Sequence, residues 1–265
     1  MSWKDEADEI ARRRARAEGM GGPDAVARQH ARGRLTVRER IAALVDPESF
    51  REVGATAGSA EGGADAGGGP APFTPANVVV GTARVGGRPC VVGGDDFTLR
   101  GGAYSPAGLK KAQHADRLAI RRRIPLVRLL EGGGASISGS YAQRGRSGYD
   151  LTEAPPMNVL AMQALATVPV ACAALGPCAG FPAARLVASH FSVMTRETAV
   201  VLTGGPALVE RATGRRMTKE ELGGSDVHLR SGVVQNVGED EADALAQVRR
   251  FLSYLPPSVH ELPPR

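Results

Sequence analysis

Twice in this chain an apolar run that reads as a buried strand ends in a glycine loop that opens a helix. PLVRLLE (125–131) runs into GGGAS, and VACAAL (170–175) runs into GPCAG and then FPAARLVASHF. Loop glycines let a ligand touch the backbone, and the exposed N–H groups at a helix start favour negative charge. Two such loops on neighbouring strands can aim two N–H donors at one point, which is what a thioester oxygen needs as it becomes an enolate. Glycines so placed also serve plain tight turns, so spacing alone leaves both roles open.

The rest of the pattern sets these loops in an alternating framework. Residues 2–18 read as an exposed, charge-laced helix stopped by Gly19, Gly21 and Gly22. A helix is expected from about Thr36 to Val45, with Thr36 as N-cap, Glu39 completing a capping box, and Ile41, Leu44 and Val45 as an apolar stripe. The stretch 55–76, containing GSAEGGADAGGGPAP, has almost nothing to bury and reads as a flexible loop. VVVGTARV and RPCVVGGDD then form a hairpin across Gly86-Gly87, followed by a helix through PAGLKKAQHADRLAIRRR. Helices are further expected at about 156–166, from FPAARLV to about His190, at 218–222 and at about 239–254, with GPCAG a loop and FSVMT and TAVVLT strand-like. Strand–helix alternation implies parallel pairing with crossover helices, hence an α/β core. The expected organisation is an N-terminal helical segment (1–50), a flexible Gly/Ala-rich loop (51–76) and a core domain (77–265).

Composition narrows the function. The net charge is +5 with a pI near 9.4, yet the cations are spread over several segments without a nucleic-acid-binding signature, so nucleic acid is not expected as a partner. Aromatic residues make up only 4%, too few for a protein that binds by stacking on rings. The apolar stretch Val168–Phe181 is interrupted by Pro169, Gly176, Pro177 and Gly180, so no membrane span is expected. Cys90, Cys172 and Cys178 lack partners at metal-ligand spacing; buried free thiols in a reducing cytoplasm, and no metal, are the expectation.

The order and wording of the segments carry more. QHARGRLTVRERIAALVDPESF, GGDDFTLRGGAYSPAGLKK, RIPLVRLLEGGGAS, ALGPCAGFPAARLVASHFSVM, LTGGPALVERATG, TKEELGGSDVHLRSGVVQNV and DALAQVRRFLSYLP follow one another through nearly the whole length. In this it resembles the N-terminal half of the carboxyltransferase β subunits of biotin-dependent acyl-CoA carboxylases, of the propionyl-CoA and methylcrotonyl-CoA type. The resemblance implies a crotonase-like fold, a spiral of ββα units with a perpendicular pair of sheets, in a single domain with an N-terminal helical extension. It also implies binding of an acyl-CoA substrate whose α-carbon takes a carboxyl group from carboxybiotin supplied by a partner. Biotin's own ureido group then takes the α-proton, so no side-chain base is required. The partners implied are a second carboxyltransferase domain or subunit holding the biotin site, a biotin carboxyl carrier and a biotin carboxylase subunit, within a homo- or hetero-oligomer. Here the chain stops where that second domain is expected to begin. A non-catalytic assembly subunit, and a stand-alone crotonase-type hydratase or decarboxylase, are the competing functions; the latter's usual acid is missing from FPAARLVAS.

Carried onto this sequence, the oxyanion donors are the backbone N–H groups of Ala135 and of Gly180 or Phe181. The family's second glycine is Phe181 here, and the arginine it carries after GGA is Ser136. Gly133 and Gly134 belong to the first loop, and Gly101 and Gly102 either admit the CoA chain or shape a turn. Arg28, Arg32 and Arg34 form a basic cluster that suits CoA phosphates or, equally, a solvated face with Glu39 and Asp46. Lys110 and Lys111 at a helix start oppose its dipole and hint at a nearby anion. Asp95 and Asp96 read as turn-holding carboxylates, and His228 as structural.

Overall fold

The computed structural model describes residues 3–60, 73–134 and 157–263. The N-terminal segment is three helices: α1 (Lys4–Glu18), α2 (Pro23–His30) and α3 (Val37–Leu44). α1 is mostly exposed, with Ala17 buried, and carries Glu9–Arg12 and Glu9–Arg13 pairs. α3 begins at the expected capping box, Thr36 accepting from Glu39 N–H while the Glu39 carboxylate accepts from Thr36 N–H.

Within the stretch expected to be a loop, β1 (Arg51–Glu52) and β2 (Gly58–Ala60) form, and β3 (Phe73–Pro75) pairs antiparallel with β2. Backbone pairing alone makes these short strands, so the side-chain composition carries no warning of them. Residues 61–72 of that stretch lie outside the described residues.

β4 (Val78–Val85) and β5 (Arg88–Asp95) make the hairpin, with Gly86 and Gly87 both at positive φ in the two-residue turn. There follow α4 (Pro106–Arg122), β6 (Leu126–Gly132), α5 (Met157–Leu165), β7 (Val170–Ala179), α6 (Phe181–Val187), β8 (Phe191–Thr195) and β9 (Val200–Leu202). The chain closes on α7 (Pro206–Thr213), α8 (Lys219–Gly223), α9 (Ser225–Ser231), β10 (Asn236–Gly238) and α10 (Glu241–Ser253).

The main sheet runs β1-β4-β5-β6-β7-β8-β10, and β9 joins β7 off that line. Pairing is antiparallel from β1 to β5 and parallel from β5 onward. Side chains alternate across it. On one face Val80, Val91, Leu126, Leu130 and Cys172 pack under α4, α5 and α6 through Ala115, Ala119, Ala164 and Leu186. On the other, Val92, Val127, Leu129, Ala171 and Ala173 pack under α3 and α10 through Ile41, Leu44, Leu245 and Val248. Helices on both faces give a three-layer α/β body.

GPCAG is not a loop. Gly176 to Ala179 continue β7, because β9 pairs with them, Pro177 opposite Val200 and Ala179 opposite Leu202. Between the pairs Leu130–Ala174 and Gly132–Cys178, β7 carries more residues than β6, a bulge beyond which it pairs with β9 as well. α6 ends at Val187, short of the expected His190.

Candidate functional site

The first glycine loop meets the turn at Gly180 where β7 ends. β6 ends in Gly132, and Gly133 N–H donates to Gly101 O at 2.9 Å, so the turn at Gly101-Gly102 lies directly against the first loop. Gly102 takes φ +70°, and a Cβ there would collide with Glu131 O. Gly134 takes φ +80°, and a Cβ on it would stand 2.8 Å from Ala179 O, the residue before Gly180. At both positions close backbone approach excludes any side chain. Pro182 covers Gly132, so the start of α6 sits on the first loop.

Of the expected donors, Ala135 lies outside the described residues. Gly180 is corrected: its N–H already donates to Leu202 O at 2.8 Å, a bond made possible by the unforeseen β7–β9 pairing. Phe181 is the first residue of α6, and its N–H meets no acceptor among the described residues. A free N–H at a helix start, beside another glycine loop, is a donor suited to a partly negative oxygen.

The basic cluster divides. Arg28 and Arg32 are exposed, but Arg34 is buried, paired with Glu131 and stacked 4.9 Å from the Phe97 ring centre. That removes Arg34 from any role with CoA phosphates. The anion that Lys111 hinted at is Glu52, at 3.3 Å. Asp96 holds its turn as expected, accepting from Thr98 N–H at 3.0 Å.

Two buried charge groups beneath the loops were not expected. In the first, the Glu131 carboxylate accepts from Gln29 at 2.7 Å and from Arg34 and Arg40; Arg40 also reaches both oxygens of Glu241 at 2.7 Å and Leu175 O at 3.0 Å. In the second, Asp116 accepts from Arg128 at 2.9 Å and Arg185 at 3.2 Å, Arg185 donates to Tyr104 Oη at 3.2 Å, and Tyr104 donates to Asp95 at 2.9 Å. Asp95 therefore does more than hold a turn: it also accepts from Glu131 N–H at 3.4 Å. Burial pushes its carboxyl up to about 6, against the pull of Arg185 and the Tyr104 hydroxyl. The legible signal for both groups was Arg128 and Glu131 standing inside an otherwise apolar strand.

The remaining residues are structural. His228 donates its Nε2 proton to Val201 O at 2.7 Å, and all three cysteines are free and buried, Cys90 pushed up to about 12 by that burial. Among the described residues no cluster of His, Cys, Asp and Glu could hold a metal, and no helix is long and apolar enough to cross a membrane.

A parallel-dominated sheet between helix layers, with a bulged strand and a glycine loop abutting the Gly180 turn, is a crotonase-like fold. Residues 28–265 match the carboxyl transferase domain, and the chain belongs to that family. It is 34% identical over 239 residues to the biotin-dependent 3-methylcrotonyl-coenzyme A carboxylase beta1 subunit of Mycobacterium tuberculosis, covering 88% of this chain and 43% of that protein. Against the mitochondrial propionyl-CoA carboxylase beta chain of Homo sapiens the identity is 34%, with 92% and 44% covered. A transcarboxylase 12S structure, solved with methylmalonyl-coenzyme A and methylmalonic acid bound, superposes with a TM-score of 0.80 at 28% identity over 100% of this chain and 50% of that one. The chain thus spans about half the length of the relatives it matches. A Pseudomonas malonate decarboxylase hetero-dimer chain shares the fold over 82% of this chain and 85% of that one, with a TM-score of 0.63 at 23% identity.

Proposed function

We propose that this chain is the acyl-CoA-binding part of a carboxyltransferase that places a carboxyl group on the α-carbon of a short acyl-CoA. The observation that carries this reading is the junction of Gly134 with the Ala179–Phe181 turn, where the Phe181 N–H meets no acceptor among the described residues, in a chain of the carboxyl transferase family. The Phe181 N–H donates to the thioester oxygen, and its bond strengthens as the α-proton leaves and charge gathers on that oxygen. The second donor belongs to Ala135. The exposed Arg28 and Arg32 face the CoA phosphates, while Gly101, Gly102 and Gly133 shape the floor beneath the acyl group. Carboxybiotin, delivered by a carrier and held by a second carboxyltransferase domain or subunit, supplies the carboxyl group and the acceptor for the α-proton. The assembly is oligomeric and works in the cytoplasm, where the three buried thiols stay reduced.

Titrating propionyl-CoA into the full chain by calorimetry tests the first half of this reading. Saturable heat is expected; none at millimolar ligand sinks it. In the assembled enzyme, Phe181→Pro removes the N–H from a position where proline is tolerated, and kcat should fall about 10²–10³-fold.

A further inference from the structure

Among the described residues at the junction of Gly134 with the start of α6, Phe181, whose N–H meets no acceptor, also carries the largest side chain. The Phe181 ring is half-buried at the start of α6, directly after Gly180 and next to the Pro182 that covers Gly132. An oxygen bound at that N–H sits about 3 Å from the nitrogen. The ring begins on the β-carbon of the same residue. An acyl chain leaving the thioester carbon on the α6 side therefore meets the ring within a few carbons.

The ring is not free to step aside. Tyr104 meets it edge-on, with ring centres 6.2 Å apart at 67°, and the Arg185 guanidinium lies 5.9 Å from its centre. Both neighbours are themselves fixed. The Tyr104 hydroxyl donates to Asp95 at 2.9 Å and accepts from Arg185 at 3.2 Å, and Arg185, buried in the core, is held by Asp116 at 3.2 Å. Turning Phe181 into the protein would displace a charged group from its hydrogen bonds in a medium without water, which is costly.

We propose that Phe181, clamped by Tyr104 and Arg185, is the wall that sets acyl-chain length, so that the site accepts short acyl-CoA thioesters and rejects medium-chain ones. Tyr104 is then a positioning residue for that wall. The inference rests on the acyl-CoA reading above. A pocket wall discriminates by the volume it fills, and each methylene it excludes changes affinity about tenfold or more.

The test compares the affinities of propionyl-CoA and octanoyl-CoA for the full chain by calorimetry, in the native protein and in Phe181→Ala, Phe181→Leu and Tyr104→Phe. The native chain should bind propionyl-CoA more tightly. Phe181→Ala should shift the octanoyl-to-propionyl ratio at least about tenfold towards octanoyl-CoA. Phe181→Leu, which keeps an apolar core contact should the alanine variant fail to fold, and Tyr104→Phe, which unties the clamp but keeps both rings, should shift it less in the same direction. A variant that weakens both ligands equally, leaving the ratio unchanged, overturns the wall while the acyl-CoA reading stands. Absence of binding to either ligand by the native chain overturns both.

Discussion

Three residues apart on β6, Arg128 and Glu131 point to opposite faces of the sheet, and each anchors a buried group of two cations and two carboxylates. Beneath α3 and α10, Glu131 gathers Arg34 and Arg40, and Arg40 passes on to Glu241. Beneath α4 and α6, Asp116 gathers Arg128 and Arg185, and Arg185 reaches Asp95 through Tyr104. Their charges balance alike, but their hydrogen bonds do not. Among the described residues no side-chain polar atom of the first group is buried without a partner, whereas in the second Asp116 Oδ2, Arg128 Nε and Arg185 Nε meet none. Full satisfaction makes the first group a rigid staple between the N-terminal helices, the last helix and the root of the first glycine loop.

The sharpest way to break this contrast is to remove one cation from each side. Arg40→Leu leaves the buried Glu241 without its cation and Glu131 with Arg34 alone, and should cost about 3–5 kcal/mol, lowering the melting temperature by roughly 10 °C. Arg128→Leu leaves Asp116 with Arg185 and should cost about 1–3 kcal/mol by the same measurement. Equal losses would dissolve the distinction. A smaller probe enters from β7, where a Cβ at Gly176 would overlap the Glu131 carboxylate. Gly176→Ala should therefore destabilise by about 1–3 kcal/mol in a denaturant melt, and an Arg40→Leu background should absorb part of that loss because the staple is already open.

The mildest effect is a slope with pH. In the fold Asp95 keeps its proton up to about pH 6, while in the unfolded chain a carboxyl of this kind releases it near pH 4. As pH rises through that window the unfolded chain loses the proton first, so Asp95 takes stability away between about pH 4 and 6 and adds no further slope above. Asp95→Asn should flatten that part of the melting-temperature profile; an unchanged difference between the two profiles from pH 4 to 8 would contradict it.

Local chemistry was legible and distant chemistry was not. The Thr36–Glu39 capping box and the Gly86-Gly87 turn are written in adjacent residues, and both form as read. α2, α7 and α9 escaped because their first turns offer glycine, not a side-chain cap, ahead of the helix. The GPCAG segment looked like a loop since glycine and proline break a strand in isolation; β9, a separate strand, supplies the bonds that keep it extended. Arg34 looked like part of a surface cluster, yet its partner Glu131 lies almost a hundred positions along the chain, a pairing only the packed sheet creates. At the candidate site, Phe181 could be read only as a candidate donor, and the Gly180–Leu202 bond followed from pairing that no spacing reveals.

The bond between Gly180 and Leu202 has a neighbour. His228, on α9, donates to Val201 O, one residue before the carbonyl that occupies Gly180. Two hydrogen bonds on adjacent carbonyls of β9 thus tether an outer helix to the turn above the core. The seat of α9 and the shape of the turn are therefore joined through one short strand.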